Sequence, residues 1–285
     1  MAEIMTGFSQ GCQRWLSKFC RGKTSRRSLA EGGEVAVLFL SHVVDNDTLA
    51  EYKKISVAVD GIAEPHFLLH VKADAPPDAR LPGDALTFTD EILRTLRYTP
   101  LTQAIVPGSA HFPLLHFFLT HSEFDYYWII EFDVRFAGDW KIFFESTRLI
   151  EADLLSSCMN SYTSGSEWFW WPHLNHPKKS VPLAQRLRSF NPIYRISHAA
   201  LRHLHQCQRD GWVGHFEVLM PTLLLRAGFK LVDLGGAGKF VAAGGQNKFY
   251  TEGEDGTMRH RPCHEKTGAE ADKLYHPVKA PPPES

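Results

Sequence analysis

Two carboxylates one residue apart, Glu131 and Asp133, close an apolar run that begins Tyr126-Tyr127-Trp128-Ile129-Ile130. Bulky and β-branched residues in such a run favour a buried strand. Positions i and i+2 of a strand point to one face, so the spacing predicts both acids on one side of a sheet edge. Hard cations such as Mg2+ and Mn2+ take oxygen ligands, and Mg2+ sites often combine one or two carboxylates with substrate phosphates. The pair therefore reads as a cation site where an apolar strand meets solvent. The plainer alternative is two solvated acids paired with Arg135.

Three further groups carry chemistry. Trp168, Trp170 and Trp171 sit among prolines and suit stacking on a flat ligand such as a sugar face, or else a hydrophobic cluster beneath a loop. Glu217 follows His215 at the start of an apolar helical pattern, where it also matches the helix dipole. Leu231-Val-Asp-Leu-Gly-Gly-Ala-Gly is an apolar run, an acid and a glycine-rich turn, and such turns let backbone approach a ligand closely.

The elements that must position these groups alternate strand and helix. Residues 35–40 are an unbroken apolar run, as in a buried parallel sheet. A helix starts near Asp47, and residues 55–59 and 65–71 are the next strand candidates. A helix over 110–121 feeds the acidic strand, and 151–157 reads as a further strand. Residues 160–192 read as a long loop region. Ser197 is a plausible N-cap for a helix to Arg209, ended by Asp210-Gly211. A second helix runs from about His215 to Ala227, and 230–234 is a terminal strand. This rhythm implies an α/β sandwich with a mostly parallel central sheet and flanking helices. Residues 1–33 read as a basic, amphipathic arm capable of peripheral membrane contact, 34–262 as one domain, and 263–285 as a tail disordered at its end.

The chain has 285 residues, 44% apolar and 22% charged, with a net charge of −1. That balance suits a globular protein and offers nothing global for nucleic acid. Five cysteines without zinc-like spacing argue against a disulfide framework and for a reducing compartment. No apolar run reaches membrane-spanning length, so a cytoplasmic location is the default expectation.

The β-α-β half, the helix feeding an apolar strand, and Glu131-Phe132-Asp133 at its end together resemble the GT-A class of nucleotide-sugar glycosyltransferases, whose strand often ends Asp-x-Asp. Residues 215–224 resemble the acidic helix start of the branching and xylosyl-transferring type. The resemblance implies a single GT-A-like (Rossmann-like) domain and a transferase enzyme. It would move a sugar from a nucleotide-sugar to a carbohydrate or other hydroxyl acceptor. It further implies Mn2+ or Mg2+ on Asp133 and Glu131, and Glu217 as general base. Ser41, His42 and Asp45 would lie near the nucleotide, after the first strand. Trp168, Trp170, Trp171 and His215 would face the acceptor. Some members of that type meet the diphosphate with basic residues, for which Arg259 and Arg261 are candidates. His260 and His264 are alternative metal ligands. Two other readings stay open. One is an S-adenosylmethionine-dependent methyltransferase, on the turn at 235–238. The other is a non-catalytic carbohydrate-binding protein that keeps the transferase-like fold.

Overall fold

The computed structural model describes residues 29, 32–74, 78–83, 85–164, 167–253, 255–260 and 270–279. Most of the arm expected over 1–33 lies outside the described residues, as do Arg261 and His264. In chain order the strands are β1 (Val35–Ser41), β2 (Glu64–His70), β3 (Leu86–Phe88), β4 (Tyr126–Glu131), β5 (Arg135–Phe136), β6 (Leu154–Ser161), β7 (Leu174–Asn175), β8 (Leu187–Ser197), β9 (Val213–Gly214), β10 (Leu231–Asp233) and β11 (Leu274–Tyr275). The helices are α1 (Asn46–Ala58), α2 (Ile92–Thr95), α3 (Phe112–Thr120), α4 (Trp140–Arg148), α5 (His198–Asp210) and α6 (Phe216–Arg226).

Seven strands make one mixed, mostly parallel sheet in the order β10-β6-β8-β4-β1-β2-β3. Only β8 runs against its neighbours β4 and β6. This is the α/β sheet with flanking helices that the strand-helix rhythm predicts. Alternation along β1 explains its unbroken apolar run. Ala36 and Leu38 enter one core with residues of α3, α5 and α6, whereas Val35, Val37 and Phe39 enter a second core with residues of α1 and α4. β4 divides in the same way, with Tyr127 and Ile129 on the first face and Trp128 and Ile130 on the second. A strand buried on both faces has no polar side to alternate with.

β1 has β2 on one side and β4 on the other. The strand order therefore reverses there, and open α/β sheets bind ligands outside the carboxyl ends of strands at such a point.

Three elements depart from the sequence reading. Residues 55–59 belong to α1 and its C-terminal end, not to a strand. Tyr52, Ile55, Ala58 and Val59 are buried while Val57 is exposed, which is helical spacing. Within 160–192, β7 pairs with β9 and β8 begins at Leu187, so much of the expected loop is ordered by pairing. Part of the expected tail returns to the fold: β11 pairs antiparallel with β5, through Leu274 with Phe136 and Tyr275 with Arg135. The N-cap of α5 is as expected, with Ser197 Oγ accepting from Ala200 N, and Gly211 ends that helix in the left-handed region at φ 109°.

Candidate functional site

A cleft of about 580 Å3 opens along the carboxyl ends of β1, β2, β3 and β4 and reaches the N-terminus of α6. Its volume is in the range of pockets that hold cofactor-sized ligands.

Glu131 is the last residue of β4, and Asp133 lies past it in a turn closed by Val134 N donating to Glu131 O at 3.0 Å. The two carboxylates converge through this turn, not through strand alternation. Arg135 does not neutralise them. Its guanidinium donates to Phe132 O (2.7 Å) and Val134 O (2.9 Å) and lies 3.7 Å from Glu51, so it braces the backbone of the acidic turn.

The partner of both acids is His276, from the segment read as a tail. Its Nε2 lies 3.6 Å from Glu131 Oε2 and 3.4 Å from Asp133 Oδ1. The ring Nδ1 lies 2.8 Å from Arg259 O. A carbonyl only accepts, so Nδ1 carries a proton and Nε2 is the nitrogen turned to the acids. Val278 N donates to Asp133 O at 2.8 Å and pins this segment to the acidic turn. Lys279 Nζ is 3.9 Å from Asp133 Oδ2. Burial alone would raise the Asp133 carboxyl; His276 and Lys279 outweigh it and hold it below the usual range. Burial likewise acts to lower His276, but its two carboxylate partners raise it to about 9.

These three side chains fit a divalent cation. One ligand atom from each lies within 4.8 Å of the others. Asp133 Oδ1 is buried and makes no hydrogen bond of good geometry, so its 3.4 Å approach to His276 is an ion pair too loose to satisfy it. Two carboxylate oxygens and an imidazole nitrogen suit Mn2+ or Mg2+. Neither His260 nor Arg259 joins them. His260 packs on Phe190, and Arg259 donates from Nε to Gly256 O and holds its own loop.

Glu217 sits in the first turn of α6, capped by His215, whose Nδ1 accepts from Glu217 N at 3.4 Å. The Glu217 carboxylate accepts from Asn191 N of β8 at 3.2 Å, and burial pushes its pKa up to about 8. His215 is held down at about 4, first by burial and then by His173 and His260. Its ring is therefore neutral, and because Nδ1 accepts, its proton sits on Nε2. Such a perturbed acid in a cleft marks a candidate proton-transfer group.

The remaining expected residues divide. Ser41 and His42 line the cleft at the end of β1. Ser41 Oγ donates to Val43 O (2.7 Å) and accepts from Val43 N (3.1 Å), while His42 meets Phe132 edge-on. Asp45 does not line the cleft. Its carboxylate caps α1 by accepting from Thr48 N at 2.8 Å. Trp168 and Trp170 line the cleft, Trp170 stacked on His215 with centroids 4.7 Å apart. Trp171 is core, 1% exposed and packed on Tyr162 and Trp168.

The glycine-rich turn is filled by the chain itself. Asp233 accepts from Gly235 N, Gly236 N, Met159 N and the Tyr250 hydroxyl at 2.7–3.1 Å. A Cβ on Gly235 would sit 2.8 Å from Phe249 N and 3.2 Å from two more backbone nitrogens. Gly235 serves close backbone packing, and the Asp233 carboxylate is taken up by the chain's own donors. Gly235→Ala is expected to cost about 1–3 kcal/mol through overpacking, read as a lower denaturation midpoint, and S-adenosylmethionine is expected to leave the wild-type midpoint unchanged.

Sequence reasoning missed His276, Lys279 and Asn191. His276 follows no periodic pattern and precedes a proline. Its only signal is an imidazole within reach of a chain end that can fold back.

A family described as protein of unknown function (DUF3405) matches residues 19–151. No curated protein matches the chain. Among the solved structures similar to the chain are two at 14% identity. One, described as a mycobacterial protein, has a TM-score of 0.42 and is covered over 71% of its length by 75% of this chain. The other is glucosyl-3-phosphoglycerate synthase from Mycobacterium tuberculosis in complex with Mn2+, uridine diphosphate and phosphoglyceric acid. Its TM-score is 0.41, with 75% of this chain covering 74% of that one.

Proposed function

We propose that the chain is a glycosyltransferase that moves a sugar from a nucleoside-diphosphate sugar to an acceptor hydroxyl. The observation that carries this reading is the meeting, in one cleft at the sheet's reversal point, of Glu131 and Asp133, with His276 set against both acids, and the buried Glu217. The donor's nucleotide would lie beside Ser41 and His42, its diphosphate toward Asp133 and Lys279. Asp133, Glu131 and His276 would hold Mn2+ or Mg2+. That cation would neutralise the charge of the departing diphosphate.

The chain's own residues supply the rest. Lys279 places a second positive charge at the diphosphate end. Glu217, ionised, takes the proton of the acceptor hydroxyl as its oxygen bonds to the anomeric carbon. The bond from that carbon to the diphosphate oxygen breaks, and its electron pair leaves on the diphosphate. A base of pKa about 8 is suited to proton transfer near neutral pH. One displacement of this kind inverts the anomeric centre. Trp168, Trp170 and His215 would form the acceptor wall. The branching or xylosyl-transferring type rests on residues 215–224 alone. Among the described residues no helix is long and apolar enough to cross a membrane, and Cys158 and Cys207 are free. The cytoplasm is our expected location on the free thiols.

The test is nucleoside diphosphate release from a panel of UDP- and GDP-sugars with Mn2+ or Mg2+. Release from one donor family, above the no-enzyme rate and lost on chelation, supports the reading. No release from any donor counts against it.

A further inference from the structure

A smaller compartment of about 270 Å3 adjoins the cleft and shares Trp168, Glu217 and His260 with it. It exists because the β6–β8 ladder is irregular there. The register shifts between Leu155 and Ser157 and again between Ser157 and Asn160, and Cys158 takes a positive φ of 48°. Bulges of this kind re-aim side chains and recur beside active sites.

Two unmet polar groups line this space. Among the described residues, the Arg188 guanidinium makes no hydrogen bond or ion pair, and its contact is with the face of Trp168, 5.4 Å from the ring centroid. It is the one arginine or lysine among the described lining residues. Ser189 is 1% exposed, and its buried hydroxyl has no partner. A half-buried guanidinium and a buried hydroxyl, neither with an oxygen partner, are donors open to an oxyanion.

We propose that this compartment binds the acceptor as a hydroxy acid, with Arg188 and Ser189 taking its carboxylate and Glu217 facing its hydroxyl. The inference rests on the transferase reading and names its substrate class. The charge count favours a carboxylate over a phosphate monoester. Glu252 stands in the same wall, its Oε1 3.2 Å from the Tyr250 hydroxyl. With Glu217 ionised, Arg188 faces two carboxylates in this compartment, so a singly charged acid is repelled less than a doubly charged phosphate monoester. The compartment is below the roughly 300 Å3 at which drug-sized sites begin, which suits one small unit such as a sugar acid. The reaction adds no co-reactant: the acceptor O–H loses its proton to Glu217, and the carboxylate is unchanged.

The test titrates D-glucuronate, D-glucose and glucose 6-phosphate into the full chain, alone and loaded with UDP and Mn2+, for wild type and Arg188→Met. The expected result is glucuronate binding roughly 10–100-fold tighter than glucose, as a charge-assisted hydrogen bond gives, with glucose 6-phosphate weaker than glucuronate. Arg188→Met should erase that preference. Unchanged UDP binding in the variant would report an intact fold. Equal affinities for glucuronate and glucose, no binding of either, or a preference that survives in Arg188→Met would overturn the proposal. Glucose 6-phosphate binding tightest would overturn the choice of a carboxylate. UDP binding without acid preference would refute this inference and spare the transferase. Arg188-dependent glucuronate binding without UDP binding would keep the acid site and refute the transferase.

Discussion

Glu217→Gln is expected to lower turnover about 10²–10⁴-fold, the contribution of a positioned base, while leaving nucleotide affinity within twofold or so. Gln keeps the size of Glu and an oxygen to accept from Asn191 N, so the cap and packing of α6 survive. Two pH effects go with it. In the wild type, kcat/KM should rise with pH and level off above about 8, because burial raises the carboxyl to that value and only the ionised form accepts a proton. Stability should move the other way. The folded pKa lies above the unfolded one, so the stability this group contributes is full below the unfolded value near 4.5 and is lost as pH rises through about 8. Glu217→Gln cannot ionise and should exceed the wild type in stability at pH 9 by on the order of 2–5 kcal/mol. Urea denaturation at pH 5 and pH 9 reads that crossover. Unchanged turnover in the variant would remove Glu217 from the chemistry.

Asp133→Ala is expected to abolish the metal dependence of nucleotide binding and to lower turnover roughly 10²–10³-fold, the scale of losing one group that stabilises developing charge. The loss should not come from unfolding. Among the described residues the Asp133 side chain engages His276 and Lys279 alone, and its backbone carbonyl keeps the bond from Val278 N. His276→Ala should reproduce the loss, since its Nε2 faces both acids. Lys279→Met should weaken nucleotide binding less and leave its response to Mn2+ in place. Binding and turnover of Asp133→Ala equal to the wild type would move the diphosphate away from the acidic turn.

Where local pattern and tertiary structure agree, the sequence was legible. The all-apolar β1 and β4 announce strands buried on both faces. Ser197 and Gly211 bound α5 by capping and left-handed geometry that depend on neighbours a few residues away. Glu131, Asp133 and Glu217 were visible because acids at the edges of apolar runs stand out. Contacts over long sequence distances were not visible. His276 meets Glu131 across more than a hundred residues, through a chain that folds back as β11 to pair with β5. The run at 55–59 misled because Ile55, Val57 and Val59 alternate as a strand does, while Tyr52, Ile55 and Val59 share one helical face. Trp171 is inseparable by composition from Trp168 and Trp170, and only packing sends it into the core. Asp45 reads equally as ligand or cap until Thr48 N is seen to use its oxygen. The Arg188 compartment arises from register shifts between β6 and β8, which residue types do not encode.

The most direct test of the central claim is calorimetric titration of UDP and GDP into the full-length chain, each with and without Mn2+. One of the two nucleotides should bind, and bind more tightly with Mn2+ present. If neither binds under either condition, the cleft is not a nucleotide-sugar site and the transferase account is wrong.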